Sequence, residues 1–258
     1  EIKPKNKNLL FFKGNSMSEQ KKDEESIKCY DKVLSIDPKH VGALNNKGNA
    51  LSRLKKHQES IECYDKAIQI DPKYTKAQNN KADSLADLRK HEESIVCYDK
   101  SLEIDPKNVY ALHGKGRTLI EQKKYEESIV CYDKVLEIEP DNTNALFNMS
   151  VGLRNQEKYE ESIVYLNKVL TIDPKDIVSL INKGNALGKL KKYEESIVCY
   201  DKVTEIDPDN TDARNNKGLS LTRLKKYEES IVCYDKVLKI KPHHFQTLNN
   251  KSWTLCKL

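Results

Sequence analysis

The eight prolines of this 258-residue chain fall at Pro4, Pro38, Pro72, Pro106, Pro140, Pro174, Pro208 and Pro242, each 34 residues after the last. Proline lacks the N–H that continues a helix and pushes the residue before it out of the helical region, so the chain is punctuated at a fixed interval. Self-similarity at such a period marks a repeat array, in which each copy buries its apolar face only against its neighbours. Full copies span 7–40, 41–74, 75–108, 109–142, 143–176, 177–210 and 211–244 of a single array over 1–258. Residues 1–6 read as the tail of a preceding copy and 245–258 as the first helix of an eighth, so both ends look cut from a longer array.

Within the copy 41–74, Leu44, Lys47, Gly48 and Leu51 recur at i, i+3, i+4, i+7, the stripe of one helix. Ser60, Ile61, Tyr64, Ala67 and Ile68 mark a second helix, which Asp71-Pro72 ends. Most copies join the two helices with a sequence such as Lys191-Lys192-Tyr193-Glu194-Glu195, cations closing the first helix and anions opening the second. The columns headed by Gly48 and Ser60 hold only small residues, which lets the paired helices approach. The column of Tyr30, Tyr64, Tyr98, Tyr132, Tyr200 and Tyr234, with Leu166 in the fifth copy, fills the space beside that contact.

This 34-residue helix–turn–helix, with two small columns, an aromatic four residues after the second and a closing proline, resembles the tetratricopeptide repeat family over the whole chain. Lys in the Lys47 column departs from the usual apolar residue, and Leu44, Gln78 and Arg214 stand where a Trp is often found. The resemblance implies an all-α fold, a right-handed superhelical α-solenoid of stacked antiparallel helix pairs, with the first helices lining a concave groove. The lysines Lys13, Lys47, Lys81, Lys115, Lys183, Lys217 and Lys251 lie on the inward stripe, and Asp31, Asp65, Asp99, Asp133, Asp201 and Asp235 follow the ring column. Met149 and Asn167 replace both together in the fifth copy, so an ion pair between the two helices of each copy is expected.

Carried onto this sequence, the groove is headed by Gly42, Asn45, Asn46, Asn49, Ser52 and Arg53. The Asn45 column continues through Asn79, Asn215 and Asn249, and the Asn46 column through Asn80, Asn148, Asn182, Asn216 and Asn250, with Asn185 one turn further on. An amide both donates and accepts, so such a ladder can hold the main chain of an extended peptide whatever its sequence. Asparagine also bonds between helices, and that use competes with the first. Tyr110, His113, Ile120, Phe147, Val151, Val178 and Ile181 interrupt the ladder and are expected to form an apolar patch. Phe11 and Phe12 make a further exposed pair, assigned to a missing upstream copy or a neighbouring chain. Arg117, Arg154, Lys189 and Arg223 are opposed by Asp83, Asp87, Glu121 and Asp212, leaving the groove without one strong sign, positive toward the later copies and negative near the third.

Six cysteines (Cys29, Cys63, Cys97, Cys131, Cys199 and Cys233) share one column on successive second helices, whose packing distance of roughly 8–10 Å is too long for disulfides. They read as reduced packing residues in a cytoplasmic protein. His57 and His91 stand where other copies have Tyr and read as packing substitutes; no metal, and no cofactor, is expected. Lys plus Arg exceed Asp plus Glu by 5, which makes no nucleic-acid footprint, and no apolar run reaches bilayer length. No nucleophile–base pair or phosphate-cradling loop is legible, so the chain is not expected to be an enzyme. The expected function is a protein–protein interaction scaffold holding an extended peptide. The alternatives are self-association through the array ends, or the regulatory portion of a larger enzyme.

Overall fold

The computed structural model describes residues 4–258, and their side chains from residue 7 onward. Among these residues the chain is entirely helical, with fifteen helices in alternating pairs. It divides into two compact units, one ending at Ile138 and the other running Glu139–Leu258. The first unit holds α1 (Pro4–Glu19), α2 (Asp23–Ile36), α3 (Val41–Arg53), α4 (His57–Ile70), α5 (Thr75–Asp87), α6 (His91–Ile104), α7 (Val109–Glu121) and α8 (Tyr125–Ile138). The second holds α9 (Thr143–Asn155), α10 (Tyr159–Ile172), α11 (Ile177–Lys189), α12 (Tyr193–Ile206), α13 (Thr211–Arg223), α14 (Tyr227–Ile240) and α15 (Phe245–Leu255). Pro4 opens α1, where its missing N–H costs nothing, so residues 4–6 enter a helix that the sequence period starts at Lys7. Residues 1–3 of the expected preceding tail lie outside the described residues.

Each punctuation mark has its own chemistry. Asn108, Asn142, Asp176 and Asn210 cap first helices, each accepting from the N–H of the third helical residue; His40 and His244 do the same through Nδ1. The second helices α2, α4, α6, α10, α12 and α14 have no side-chain cap and open instead on carboxylates such as Glu92 and Glu93, which favour the positive end of the helix dipole. At the far end Asp71 accepts the Lys73 N–H at 3.0 Å, forming a small turn around Pro72.

The cation pair between helices belongs to the turn itself, a correction to its expected place in the last turn of the first helix. Lys55 is left-handed (φ 63°), and the same holds for Lys21, Arg89, Lys123, Glu157, Lys191 and Lys225. The Lys56 N–H reaches back to the Leu51 carbonyl and the Lys55 N–H to that of Ser52, both 2.9 Å, the bond pair that closes a helix whose next residue is left-handed. Glycine would normally occupy that place, and no copy has one.

Packing follows the two small columns. A Cβ added at Gly48 would stand 2.4 Å from the Tyr64 ring, and one at Gly184 would stand 2.6 Å from Tyr200. The third copy solves the same problem differently. Ala82 fills the small position, and the Tyr98 ring lies where a Cβ at Gly114 of the next helix would be 2.3 Å away. In the fifth copy the small position is Ser150 and the ring is replaced by buried Leu166. Within each unit the first helices also pack on one another, as α3 does on α5 and α11 on α13.

The lysine pairs form, but between copies. Lys47 meets Asp31 at 2.5 Å, Lys81 meets Asp65 at 2.5 Å and Lys115 meets Asp99 at 2.6 Å; Lys217 and Lys251 likewise meet Asp201 and Asp235. Each lysine therefore reaches the carboxylate of the preceding copy, which corrects the expected pairing within one copy. Position explains it: the second helix of one copy packs against the first helix of the next, and the pairs span 16 residues. Burial works against the Lys47 charge, but the hydrogen bond and charge of Asp31 outweigh it and hold its pKa above the usual lysine value. Asn167 leaves Lys183 without an ion pair.

Candidate binding grooves on the first helices

In the first unit a groove of about 620 Å³ is lined by Asn45, Asn46, Asn49, Asn79 and Asn80, with Tyr110 at one side and Phe11 at the other. The sequence placed Phe11 against a missing neighbour. Its ring instead stacks within the unit, 4.8 Å from His40 and 6.1 Å from Tyr30, while Phe12 stays exposed.

The amides of this groove are bonded to one another. Asn46 donates to Asn15 at 2.9 Å, Asn45 donates to Asn46 at 3.1 Å, and Asn80 donates to Asn45 at 2.9 Å. Tyr30 and Tyr64 donate to the oxygens of Asn15 and Asn49 at 2.9 and 2.8 Å. Amide oxygens are thus spent inside the fold, and each amide group keeps N–H capacity beyond these bonds. Asn45 and Asn79 are buried in the groove wall. Asn79 differs from the rest: its oxygen is buried without a partner, although its nitrogen reaches Asn108 at 3.4 Å.

Beyond this groove Asp83 collects three neighbours. Tyr98 donates to one of its oxygens at 2.6 Å, Arg117 to the same oxygen at 3.1 Å, and Tyr110 to the other. Burial, reinforced by the Asp83 charge, raises the Tyr98 pKa well above the usual range. His113 sits edge-on to Tyr132 at 5.5 Å. His57 and His91, expected as packing substitutes, face Asp87 and Glu121 of the following copies at 3.6 and 3.7 Å. The sequence offered a signal for this, because only the copies preceding an acid at that place carry His.

In the second unit Phe147 and Val178 line a hollow of about 280 Å³ together with Asn144 and Val169. Val151 and Ile181 are half-buried and line neither this hollow nor the larger groove. Asn148 and Asn182 donate back to the carbonyls of Asn144 and Val178 on their own helices. Buried Asn215 donates to Asn216 at 3.3 Å and accepts from Asn250 at 3.2 Å, while Asn249 is exposed. A larger groove of about 720 Å³ is lined by Asn185, Asn216, Arg154, Lys189, Lys191 and Arg223 beside Tyr159, Tyr193 and Leu219. No carboxylate lines this groove, which lies in the later copies where the sequence expects a positive sign. Sequence columns list residues by copy, whereas only Asp83 and Arg117 stand close enough to cancel.

The cysteines are free; Cys29, Cys63, Cys97, Cys131 and Cys199 are buried, Cys233 is half-buried and Cys256 exposed. Burial pushes the Cys63, Cys97, Cys131, Cys199 and Cys233 thiols up, away from the reactive thiolate. Among the described residues no group of His, Cys, Asp and Glu is placed to hold a metal ion, and no helix is long and apolar enough to cross a membrane.

No curated protein matches the chain. Among solved structures it is similar to YrrB, described as a TPR protein with an unusual peptide-binding site (24% identity, TM-score 0.64, 74% of this chain and 99% of that one). It is also similar to a tetratricopeptide repeat protein from Parabacteroides merdae (17% identity, TM-score 0.70, 97% and 99%). A third is the C-terminal part of a TPR repeat-containing protein from Cytophaga hutchinsonii (11% identity, TM-score 0.78, 93% and 98%). At these identities the likeness shows the fold. The sequence itself matches the tetratricopeptide repeat at 8–40, 41–74, 75–108, 109–142, 143–176, 177–210 and 211–244. With every copy matched, the chain belongs to the tetratricopeptide repeat family.

Proposed function

We propose that the chain holds an extended segment of a partner protein along its first helices, with amide groups as the main contacts in the first unit. A tetratricopeptide array supports a protein-interaction scaffold in general terms. The segment and its groove are our reading, and the observation that carries it is Asn79. Its oxygen is buried and unpaired beside a groove of about 620 Å³, a state that costs about 1–3 kcal/mol unless a donor arrives. A main-chain N–H of a bound peptide supplies one, and the N–H groups left on Asn46, Asn49 and Asn80 take peptide carbonyls. Buried Asn45 positions Asn46 and Asn80. In the second unit, Phe147, Val169 and Val178 line a hollow that Asp173 and Asp176 also border, room for a side chain with an apolar stem. The solved relative YrrB has a peptide-binding site by its own description, which is in keeping with this use of the fold.

Panning a random peptide library on the full chain tests the reading, with binding of selected peptides then measured on Asn49→Ala/Asn80→Ala and on Phe147→Asp. Weakening of about tenfold or more in the amide variant is expected. Peptides that bind both variants as well as the parent would refute the groove. Altered sedimentation of Phe147→Asp without change in peptide binding would favour self-association instead.

A further inference from the structure

We infer that a hollow at the α10–α11 joint binds a small amphipathic acid, a free carboxylate on a medium-length apolar chain such as octanoate. The hollow has a volume of about 300 Å³ and shares no lining residue with the larger groove or with the hollow beside Phe147. That volume stands at the lower end for small-molecule sites. Leu170 of α10, Leu180 and Leu187 of α11 and Val198 of α12 form its apolar walls, and Lys183 and Lys202 stand among them. Leu180 and Leu187 are buried while Val198 is 55% exposed, so the hollow has an apolar depth and an open mouth.

The rest of the array shows what Lys183 lacks. In its column Lys47, Lys81, Lys115, Lys217 and Lys251 each meet an aspartate of the preceding copy. The residue at the same spacing from Lys183 is Asn167, which brings no charge. Among the described residues neither Lys183 nor Lys202 makes an ion pair. Glu195 borders the hollow without pairing with Lys183. Its counterpart Glu59 acts on Lys47 less than Asp31 does, so Glu195 is a poor substitute for the missing aspartate. Burial raises the Cys199 thiol and Lys183 is the first charge to oppose it, which puts the Lys183 ammonium beside this wall.

Apolar walls alone do not set the joint apart. Leu34 with Leu44, and Leu102 with Leu112, stand at the same positions of the α2–α3 and α6–α7 joints, but there the lysine is already taken. At α10–α11 the walls and an untaken, half-buried lysine coincide. A carboxylate from outside supplies the charge-assisted hydrogen bond that aspartate supplies elsewhere, and its chain covers the leucines. An acid without a chain, or a chain without an acid, satisfies half of the site.

The test is methyl NMR of the full chain titrated with octanoate, with acetate and 1-octanol as separate arms, on the parent, Asn167→Asp and Lys183→Gln. Saturable shifts at Leu170, Leu180, Leu187 and Val198 with octanoate are expected, weakened about tenfold or more in both variants. From butanoate to octanoate the affinity should rise about two- to fourfold for each added CH₂. Asn167→Asp makes the joint like its neighbours, so a loss of binding there reports the lysine's availability and not damage to the fold. Octanol binding as tightly as octanoate, unchanged affinity in Asn167→Asp, equal shifts at Leu44 and Leu112, or no saturable shift in the millimolar range would each overturn the inference.

Discussion

At the last position of the first helix, the first unit carries Asp87 and Glu121 where the second carries Lys189 and Arg223. The consequence is more than a change of sign. In the first unit the acids are faced by His57 and His91 from the preceding copies, and Glu121 also by Arg89 at 3.9 Å, while Arg53 is paired with Asp23. In the second unit the corresponding residues of the preceding copies are Tyr159 and Tyr193, which leave the cations unpaired and line the groove beside them. Two units built on one template thus differ in what they leave unspent, a buried amide oxygen in one and a set of cations in the other. Repetition fixes the backbone, and the joint between copies decides which charges remain for a partner.

The largest expected difference between the units appears at high pH. Burial raises the pKa values of Tyr30, Tyr64, Tyr98 and Tyr132 in the first unit, and that of Tyr200 in the second. Leu166 replaces the ring in the fifth copy. Above about pH 10 an unfolded tyrosine loses its proton while a buried one keeps it, so the unfolded state binds fewer protons and stability falls as pH rises. Each such buried ring contributes a loss of up to about 1.4 kcal/mol per pH unit, and with Tyr74 and Tyr110 also raised the first unit should lose several times as much as the second. Methyl NMR of the full chain should lose the Leu85 and Leu112 signals at lower pH than those of Leu180 and Leu221. Simultaneous loss would break the comparison.

Next comes a packing test. Gly114→Ala places a methyl against the Tyr98 ring, which cannot retreat because Ala82 occupies the space that glycine leaves open in other copies. A cost of about 1–3 kcal/mol is expected, read from the urea midpoint. Asn182→Ala, at the same column in the second unit, removes only the Arg154 contact and a bond to its own helix. It should cost less than about 1 kcal/mol. Equal costs would show that Gly114 is not a packing requirement.

These cases show what the sequence made legible. Period, helix pairs, small columns and ring column all follow from residue types at fixed spacing, because each copy repeats the same local physics. The joint loss at Met149 and Asn167 suggests Lys–Asp pairing, but these two positions are not partners: at the spacing of 16 residues Met149 answers to Asp133 and Asn167 to Lys183, and columns do not encode which copy lies nearer. The amide columns and their rival use between helices were visible too, but not which amide bonds to which, since Asn45 and Asn46 are adjacent in sequence and differ in burial. The exchange of Gly114 with Ala82 around Tyr98 was hidden, because a substitution in one column was answered in another. The left-handed Lys55 was hidden as well, since lysine gives no sign of that conformation.

That left-handed turn yields a smaller effect, shared by both units. Lys55→Gly and Glu157→Gly relieve the crowding of Cβ against the following carbonyl, worth about 1–2 kcal/mol, and lose part of it to the greater freedom of unfolded glycine. A net gain of about 0.5–1 kcal/mol is expected at each site in thermal unfolding. A gain at one site and a loss at the other would mean that the two units do not share this turn.

The smallest effect concerns the one place where the second unit lacks a joint that the first repeats. Asn167 stands 16 residues before Lys183, the spacing of every Lys–Asp pair, so Asn167→Asp gives Lys183 the partner that Lys47, Lys81 and Lys115 already have. In the existing pairs the lysines are about a quarter exposed and the aspartates about half, so solvent screens the attraction. The gain should be about 0.2–1 kcal/mol, and most of it should vanish in high salt. Asp65→Asn in the first unit should lose a similar amount with the same salt dependence. A gain that survives high salt would point to packing in the α10–α11 contact and would separate the two units in how copies are joined.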